Sequence, residues 1–230
     1  MTTPQKPALV YLTGASATGK TMLASELAVR LGASIHTGAA RGVIAKWPLT
    51  PQQMLGGGCE EKAPMDEYFK FQTAVLAAQT ELEAEASRRL TGGRSVILDR
   101  GVDHLAYTSH FCPRQFASPP APVRDYLRAF WRRLGHEYSQ YVGLIVYLPP
   151  VQEYLNKARD ERPPELQPFL NRSVVHGVDA AIKGLLVQFA CEGRVLSLAG
   201  VTDLTHRADA VMERLRELAG PRSEQHELAT

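Results

Sequence analysis

Gly14-Ala15-Ser16-Ala17-Thr18-Gly19-Lys20-Thr21 sits between the apolar run Ala8-Leu9-Val10-Tyr11-Leu12 and a segment in which Leu23, Leu27 and Leu31 recur at helical spacing. Apolarity without alternation suits a strand buried on both faces of a parallel sheet. The leucine spacing predicts a helix over Lys20 to Leu31, stopped by Gly32. The stretch between them matches G-x-x-x-x-G-K-[ST] in full. Its glycines let the chain curl so that successive N–H groups point inward, and the following helix adds its positive end. Such a cup suits phosphate oxygens: Lys20 is predicted to reach the β- and γ-phosphates of ATP, and the Thr21 hydroxyl to ligate Mg2+. A chance match in a small-residue turn is set aside because both flanks have the character the mechanism requires.

Outward from this motif, strands and helices alternate. Ala33 to Thr37, Ser95 to Leu98, Leu144 to Leu148 and Arg194 to Leu198 are the further strands. A long helix is predicted from Met65 to Leu90, ended by Gly92-Gly93, and a final amphipathic helix runs through Leu218. Residues 46–64 hold Pro48, Pro51, Gly56-Gly57-Gly58 and Pro64 and read as a loop. The expected fold is α/β: a three-layer, doubly wound parallel sheet of the P-loop type. Residues 1–220 are read as one such domain, followed by a polar tail at 221–230.

Composition narrows the function classes. The 230 residues are 44% hydrophobic and 22% charged, an ordinary globular balance, with a net charge of only +2. That gives no electrostatic reason for nucleic acid to be the main partner. Cys59, Cys112 and Cys191 are sparse and lack metal or disulfide spacing, which fits free thiols in a reducing compartment. Met1 to Pro7 lacks the apolar core of a signal peptide, and no run is long enough to span a bilayer. A cytoplasmic protein is expected, with a homodimer left open.

Asp99 closes the strand Ser95-Val96-Ile97-Leu98, so it is expected at the sheet edge where ligands bind, helping Thr21 to hold the metal. Arg100 follows, its guanidinium a planar fork for phosphate oxygens.

Asp99-Arg100-Gly101-Val102-Asp103-His104-Leu105-Ala106-Tyr107 resembles the D-R-G-x-x-D-x-x-A-Y signature of an AAA-type P-loop family. That family includes kinase domains similar to nicotinamide riboside kinase in bifunctional NAD regulators, and is akin to deoxynucleoside and thymidylate kinases. Thr37-Gly38-Ala39-Ala40-Arg41-Gly42-Val43-Ile44 resembles the family's T-E-x-A-R-E-x-I, and Leu148-Pro149-Pro150 the approach to its lid. The resemblance implies that Arg41 touches the acceptor or the transferring phosphate, and that Arg162 belongs to a helical lid at about 155–175. The chain departs from the pattern at Gly38, where the family has an acid. In nucleoside kinases an acid in that region takes the acceptor's hydroxyl proton. Three alternatives stay open: Asp103 or Asp66 substitutes as base, the acceptor is already ionised, or water is the acceptor.

Within the lid segment, Arg159 and Arg162 lie at i, i+3, with Arg172 nearby. Arginines there close over ATP and neutralise developing charge, whereas a solvated charge face with Asp160 and Glu161 is the plainer alternative. Arg124, Arg128, Arg132 and Arg133, interleaved with Tyr126, Phe130 and Trp131, form a basic helix that reads chiefly as amphipathic, with RNA as the lesser option. His36, His104 and His176 lack metal-like spacing. Tyr68, Phe69 and Phe71 are read as core; Gln72 and, less well placed, Gln79 are candidates for a base edge. Ala199-Gly200-Val201 is the expected backbone contact to adenine. The favoured function is an ATP- and Mg2+-dependent phosphotransferase for a small-molecule acceptor. A regulatory ATPase switch and, more weakly, an RNA-end kinase are the competitors.

Overall fold

The computed structural model describes residues 6–49, 65–111, 142–162, 169–188 and 194–220, together with parts of 121–129 and Gln167. Five strands form one parallel sheet: β1 (Ala8–Thr13), β2 (Ser34–Thr37), β3 (Val96–Asp99), β4 (Val142–Tyr147) and β5 (Val195–Ser197). Their order is β2-β3-β1-β4-β5, so the strand preceding the phosphate loop is central. β1 pairs with β3 through Val10 and Ile97, and with β4 through Val10 and Leu144.

Alternate residues of each strand feed two apolar layers, as the period of two requires. Val10, Leu12, Leu144 and Val146 pack with Leu23 and Leu27 of α1 (Lys20–Leu31) and with Val211 and Leu215 of α7 (Leu204–Ala219). Leu9, Tyr11, Ile145 and Tyr147 face the opposite way. They meet α3 (Met65–Thr91), α4 (Asp103–Phe111) and α6 (Arg172–Gln188) through Leu76, Leu105 and Val178. The result is helix, sheet, helix: the three-layer P-loop architecture that the alternating pattern predicts. A smaller cluster of Tyr68, Phe71 and Val75 on α3 carries α2 (Ala39–Ile44), with Trp47 edge-on to Phe71 at 5.5 Å between ring centroids. α5 (Gln152–Glu161) follows β4.

Strand bounds shift by a residue or two from the sequence reading. Ser95, for instance, lies before β3, its hydroxyl accepting a hydrogen bond from the Ala8 N–H at 3.0 Å. The glycine-rich stretch of 50–64, the cysteines and the tail lie outside the described residues. Among the described residues no helix is long and apolar enough to cross a membrane.

Candidate active site

The carboxyl ends of the parallel strands converge on one edge, and there the chain builds a cavity of about 470 Å³, within the ordinary range for small-ligand sites. Its floor is the turn after β1. Gly14 lies so close beneath the Leu148 carbonyl and the Thr18 hydroxyl that any Cβ would collide with them. Gly19 and Ala17 take left-handed φ values of 87° and 59°, and Ala17 is the one non-glycine residue with positive φ among those described. Lys20, only 7% exposed, donates from Nζ to the carbonyls of Gly14 at 2.5 Å and Ala15 at 2.7 Å, and stands 3.5 Å from Asp103 Oδ2. Burial holds its ammonium below the usual lysine value, with Asp103 pulling the other way.

Thr21 Oγ1 donates to Asp99 Oδ2 at 2.7 Å, and Asp99 Oδ1 is buried with no hydrogen-bond partner among the described residues. A hydroxyl beside a carboxylate with a spare buried oxygen is the hard-oxygen set that suits Mg2+, which takes few protein ligands and completes its shell with water and phosphate. No cluster of three or more His, Cys, Asp or Glu that could hold a metal occurs among the described residues.

The walls bring Arg41 from α2, Arg100 from the end of β3 and Arg162 from the end of α5 to the same cavity. Burial first, then the neighbouring charges of Arg100 and Arg41, pull Arg162 below the usual arginine value. Arg162 thus lies close enough to Arg100 and Arg41 to feel their charge, and among the described residues none of the three pairs with a carboxylate. Ala15 is buried within the loop, and the Ser16 hydroxyl shares a 2.7 Å hydrogen bond with the Tyr107 hydroxyl.

A family model described as an AAA domain matches residues 9–173, well over half of the chain. The chain belongs to this AAA domain family. No curated protein matches it in sequence. Among solved structures, this AAA domain is similar to a deoxyadenosine kinase from M. mycoides with dCMP and dCDP bound. The TM-score is 0.62 at 12% identity, covering 91% of this chain and 99% of the other. It is similar also to the NadR protein in complex with NR, with a TM-score of 0.56 at 19% identity over 98% of this chain and 54% of that one. A second NadR structure, with NAD and AMP-PNP, gives 0.57 at 18% identity, covering 96% of this chain and 52% of that one. At such identities the likeness is one of fold.

In this AAA domain the expected site residues separate. Ser16 to Thr21, Asp99, Arg100, Arg41 and Arg162 gather around one cavity, with Gln72 on its wall, while Gly14 and Ala15 belong to the same loop without lining it. Asp103 does not line it, which corrects its reading as a candidate base. Its side chain is 0% exposed beneath the phosphate loop, where Oδ1 accepts from the Thr13 hydroxyl and, at 3.1 Å, from the Gly14 N–H. Arg159 is corrected likewise. Its Nε and Nη2 both donate to the Leu170 carbonyl, at 3.2 and 2.9 Å, tying α5 to the chain ahead of α6 instead of facing a nucleotide. Gln79 is also committed elsewhere, donating to Glu83 at 3.1 Å and to the Arg100 carbonyl at 3.3 Å. Tyr126 of the basic segment is buried against Glu83, and Arg128 pairs with Asp125. The side chain of Asp66, and Phe130 to Arg133, lie outside the described residues.

Two elements of the site were given no role there by the sequence reading. Arg207, 1% exposed, donates from Nη1 to the Thr18 carbonyl at 2.8 Å and from Nε to the Val201 carbonyl at 2.6 Å. Its guanidinium lies 5.1 Å from the centroid of the Tyr154 ring, and the Tyr154 hydroxyl donates to the Thr202 carbonyl. One arginine therefore clasps the phosphate loop, the 201–202 turn and the first turns of α5. The signal was present: Ala208, Val211 and Leu215 make the buried stripe of α7, with Leu204 partly buried at its start, and Arg207 is a charge at the same face.

The other is His104, 2% exposed on the cavity wall, with Nε2 lacking a hydrogen-bond partner among the described residues. Burial, reinforced by Arg100, pushes its imidazole from 6.5 down to about 3. The unfolded chain takes a proton near 6.5 that the folded chain refuses until far lower pH. Stability from this group is therefore full above that value and drains as pH falls toward 3. His104→Gln is expected to flatten the acid loss of stability between about pH 6 and about pH 4 by on the order of 2 kcal/mol. Urea midpoints measured across that range for both proteins check it.

Proposed function

We propose that this chain is an ATP- and Mg2+-dependent phosphotransferase acting on a small molecule: a nucleoside, a nucleotide or a coenzyme precursor. The observation that carries the reading is the convergence of Arg41, Arg100 and Arg162 on the cavity whose floor is the phosphate loop and whose edge is the Thr21–Asp99 pair. The phosphate-loop amides and Lys20 bind the β- and γ-phosphates. Thr21 and Asp99 would hold Mg2+, and the metal would supply neutralisation of charge on the phosphate oxygens. The three arginines stabilise the charge that moves as the phosphoryl group leaves ADP, Arg162 doing so from a lid formed by about residues 155–175. Gln72, whose Nε2 donates to the Tyr68 hydroxyl at 2.7 Å and whose Oε1 is buried without a partner among the described residues, reads the acceptor's ring. Arg207 steadies the Val201 carbonyl beside the adenine. The folds of deoxyadenosine kinase and NadR support the same reaction class.

The test is γ-labelled ATP offered with nucleosides, nucleotides, sugars and coenzyme precursors, with water as the baseline. Transfer is expected to depend on Mg2+. Asp99→Asn is expected to raise the Mg2+ concentration for half-maximal rate about 10- to 100-fold; an unchanged requirement would remove Asp99 from the metal site. A regulatory ATPase is the second reading, favoured by Gly38 standing where the resemblance places an acid. Slow phosphate release stimulated by a protein partner, without transfer to any acceptor, is its signature.

A further inference from the structure

We propose that the acceptor is itself an anion, a phosphate monoester, and that the cavity transfers the γ-phosphoryl group onto one of its oxygens to make a phosphoanhydride. The inference rests on the phosphotransferase reading and names its acceptor class. A neutral hydroxyl acceptor needs a side chain that can take its proton. Among the described residues the carboxylates on the cavity wall are Asp99 and Glu161. Asp99 is joined to Thr21 at the metal position. Glu161 ends α5, exposed to solvent with Lys157 at 3.8 Å.

The other titratable groups near the wall are no better equipped. Asp103 is spent under the phosphate loop. The Tyr107 hydroxyl is engaged with Ser16, and burial makes it harder to ionise. His104 stays neutral, but its hold on a proton is too weak to serve as an effective base near neutral pH. Gly38 begins α2 with φ 84° and contributes only backbone.

The positive half of the argument is the charge left over. Lys20, Arg41, Arg100, Lys157 and Arg162 face the cavity against those two carboxylates. Arg41, Arg100 and Arg162 make no ion pair among the described residues. Guanidinium forks match phosphate oxygens bidentately. A phosphate monoester is mostly a dianion at neutral pH, its second proton leaving near about pH 6. Its oxygen attacks the γ-phosphorus and forms the new P–O bond. The bond from γ-phosphorus to the bridging oxygen breaks, and that oxygen leaves with the electron pair on ADP. No proton has to be removed from the nucleophile, so the balance needs no base.

The experiment pairs each common ribo- and deoxyribonucleoside with its 5′-monophosphate, adds ribose 5-phosphate, and resolves labelled products from γ-labelled ATP. The expected result is a labelled diphosphate from at least one monophosphate, with the matching nucleoside at the level of water. Arg41→Gln should lower kcat/KM for that monophosphate by about 10- to 100-fold, the loss of one charge-assisted hydrogen bond. Asp66→Asn, which removes the base alternative left open by the sequence, should keep transfer within about twofold, because an acceptor that is already ionised needs no base. Faster transfer to a nucleoside hydroxyl, or loss of transfer in Asp66→Asn with circular dichroism unchanged, would overturn the anionic acceptor and leave the phosphotransferase reading standing. Label released only to water, with none of these acceptors and none of the sugars and coenzyme precursors offered above modified, would overturn both.

Discussion

Lys20→Ala is expected to lower ATP-dependent transfer by about 100- to 1,000-fold, the cost of removing one preorganised donor from a transferring phosphoryl group. Lys20 Nζ stands at the head of the phosphate loop, 2.5 and 2.7 Å from two of its carbonyls, on a side chain already desolvated. On the proposed reading it would move from those carbonyls to phosphate oxygens, bringing its positive charge to where negative charge develops. The same substitution strips Asp103 of its nearby cation. A fall in stability is therefore expected alongside, and rates belong at a temperature where circular dichroism reports a folded variant. Full turnover in Lys20→Ala would contradict the assignment of the loop.

The second large effect is expected at Asp103, and it falls on stability first. One carboxylate oxygen accepts from Thr13 and from the Gly14 N–H, and the other faces Lys20 at 3.5 Å, all without solvent. Asp103→Ala leaves a buried ammonium uncompensated and the loop's first amide unpaired, a change that typically costs about 3–5 kcal/mol. Urea unfolding should register it directly, and ATP affinity should fall with it because the cup loses its anchor. Asp103→Asn keeps an acceptor oxygen for Gly14 and is expected to retain part of both properties. A general base would behave the other way, with Asn abolishing transfer while the unfolding midpoint stayed put. The comparison of the two variants therefore separates a positioning residue from a catalytic one.

What could be read from the chain beforehand was what is local. The phosphate loop, its flanking strand and helix, and the acid at the end of β3 each declare themselves within a dozen residues, because pattern and period suffice. Arg41 and Arg162 came from resemblance, and both line the cavity. Asp103 was legible only as the second acid of the D-R-G-x-x-D resemblance; in the structure it stands in the first turn of α4. Whether that turn pointed it at the cavity or under the loop depended on how α4 packs beside β1, which spacing does not encode. Arg159 and Arg162 looked alike for the same reason: three residues apart at a helix end, one meets the Leu170 carbonyl and the other the cavity. Arg207 is joined to Thr18 across nearly the whole chain, a contact with no sequence signature beyond a charge on an apolar stripe.

The backward curl at Ala17 carries a thermodynamic corollary. An L-residue with a side chain tolerates the left-handed region only at a cost of about 1 kcal/mol, so surrounding contacts must hold it there, and here they include the Ser16–Tyr107 and Thr18–Arg207 bonds on either side. A turn fastened in that way has surrendered its chain entropy during folding. Little disorder is left for an arriving triphosphate to quench, and more of each amide-to-oxygen contact is available as affinity.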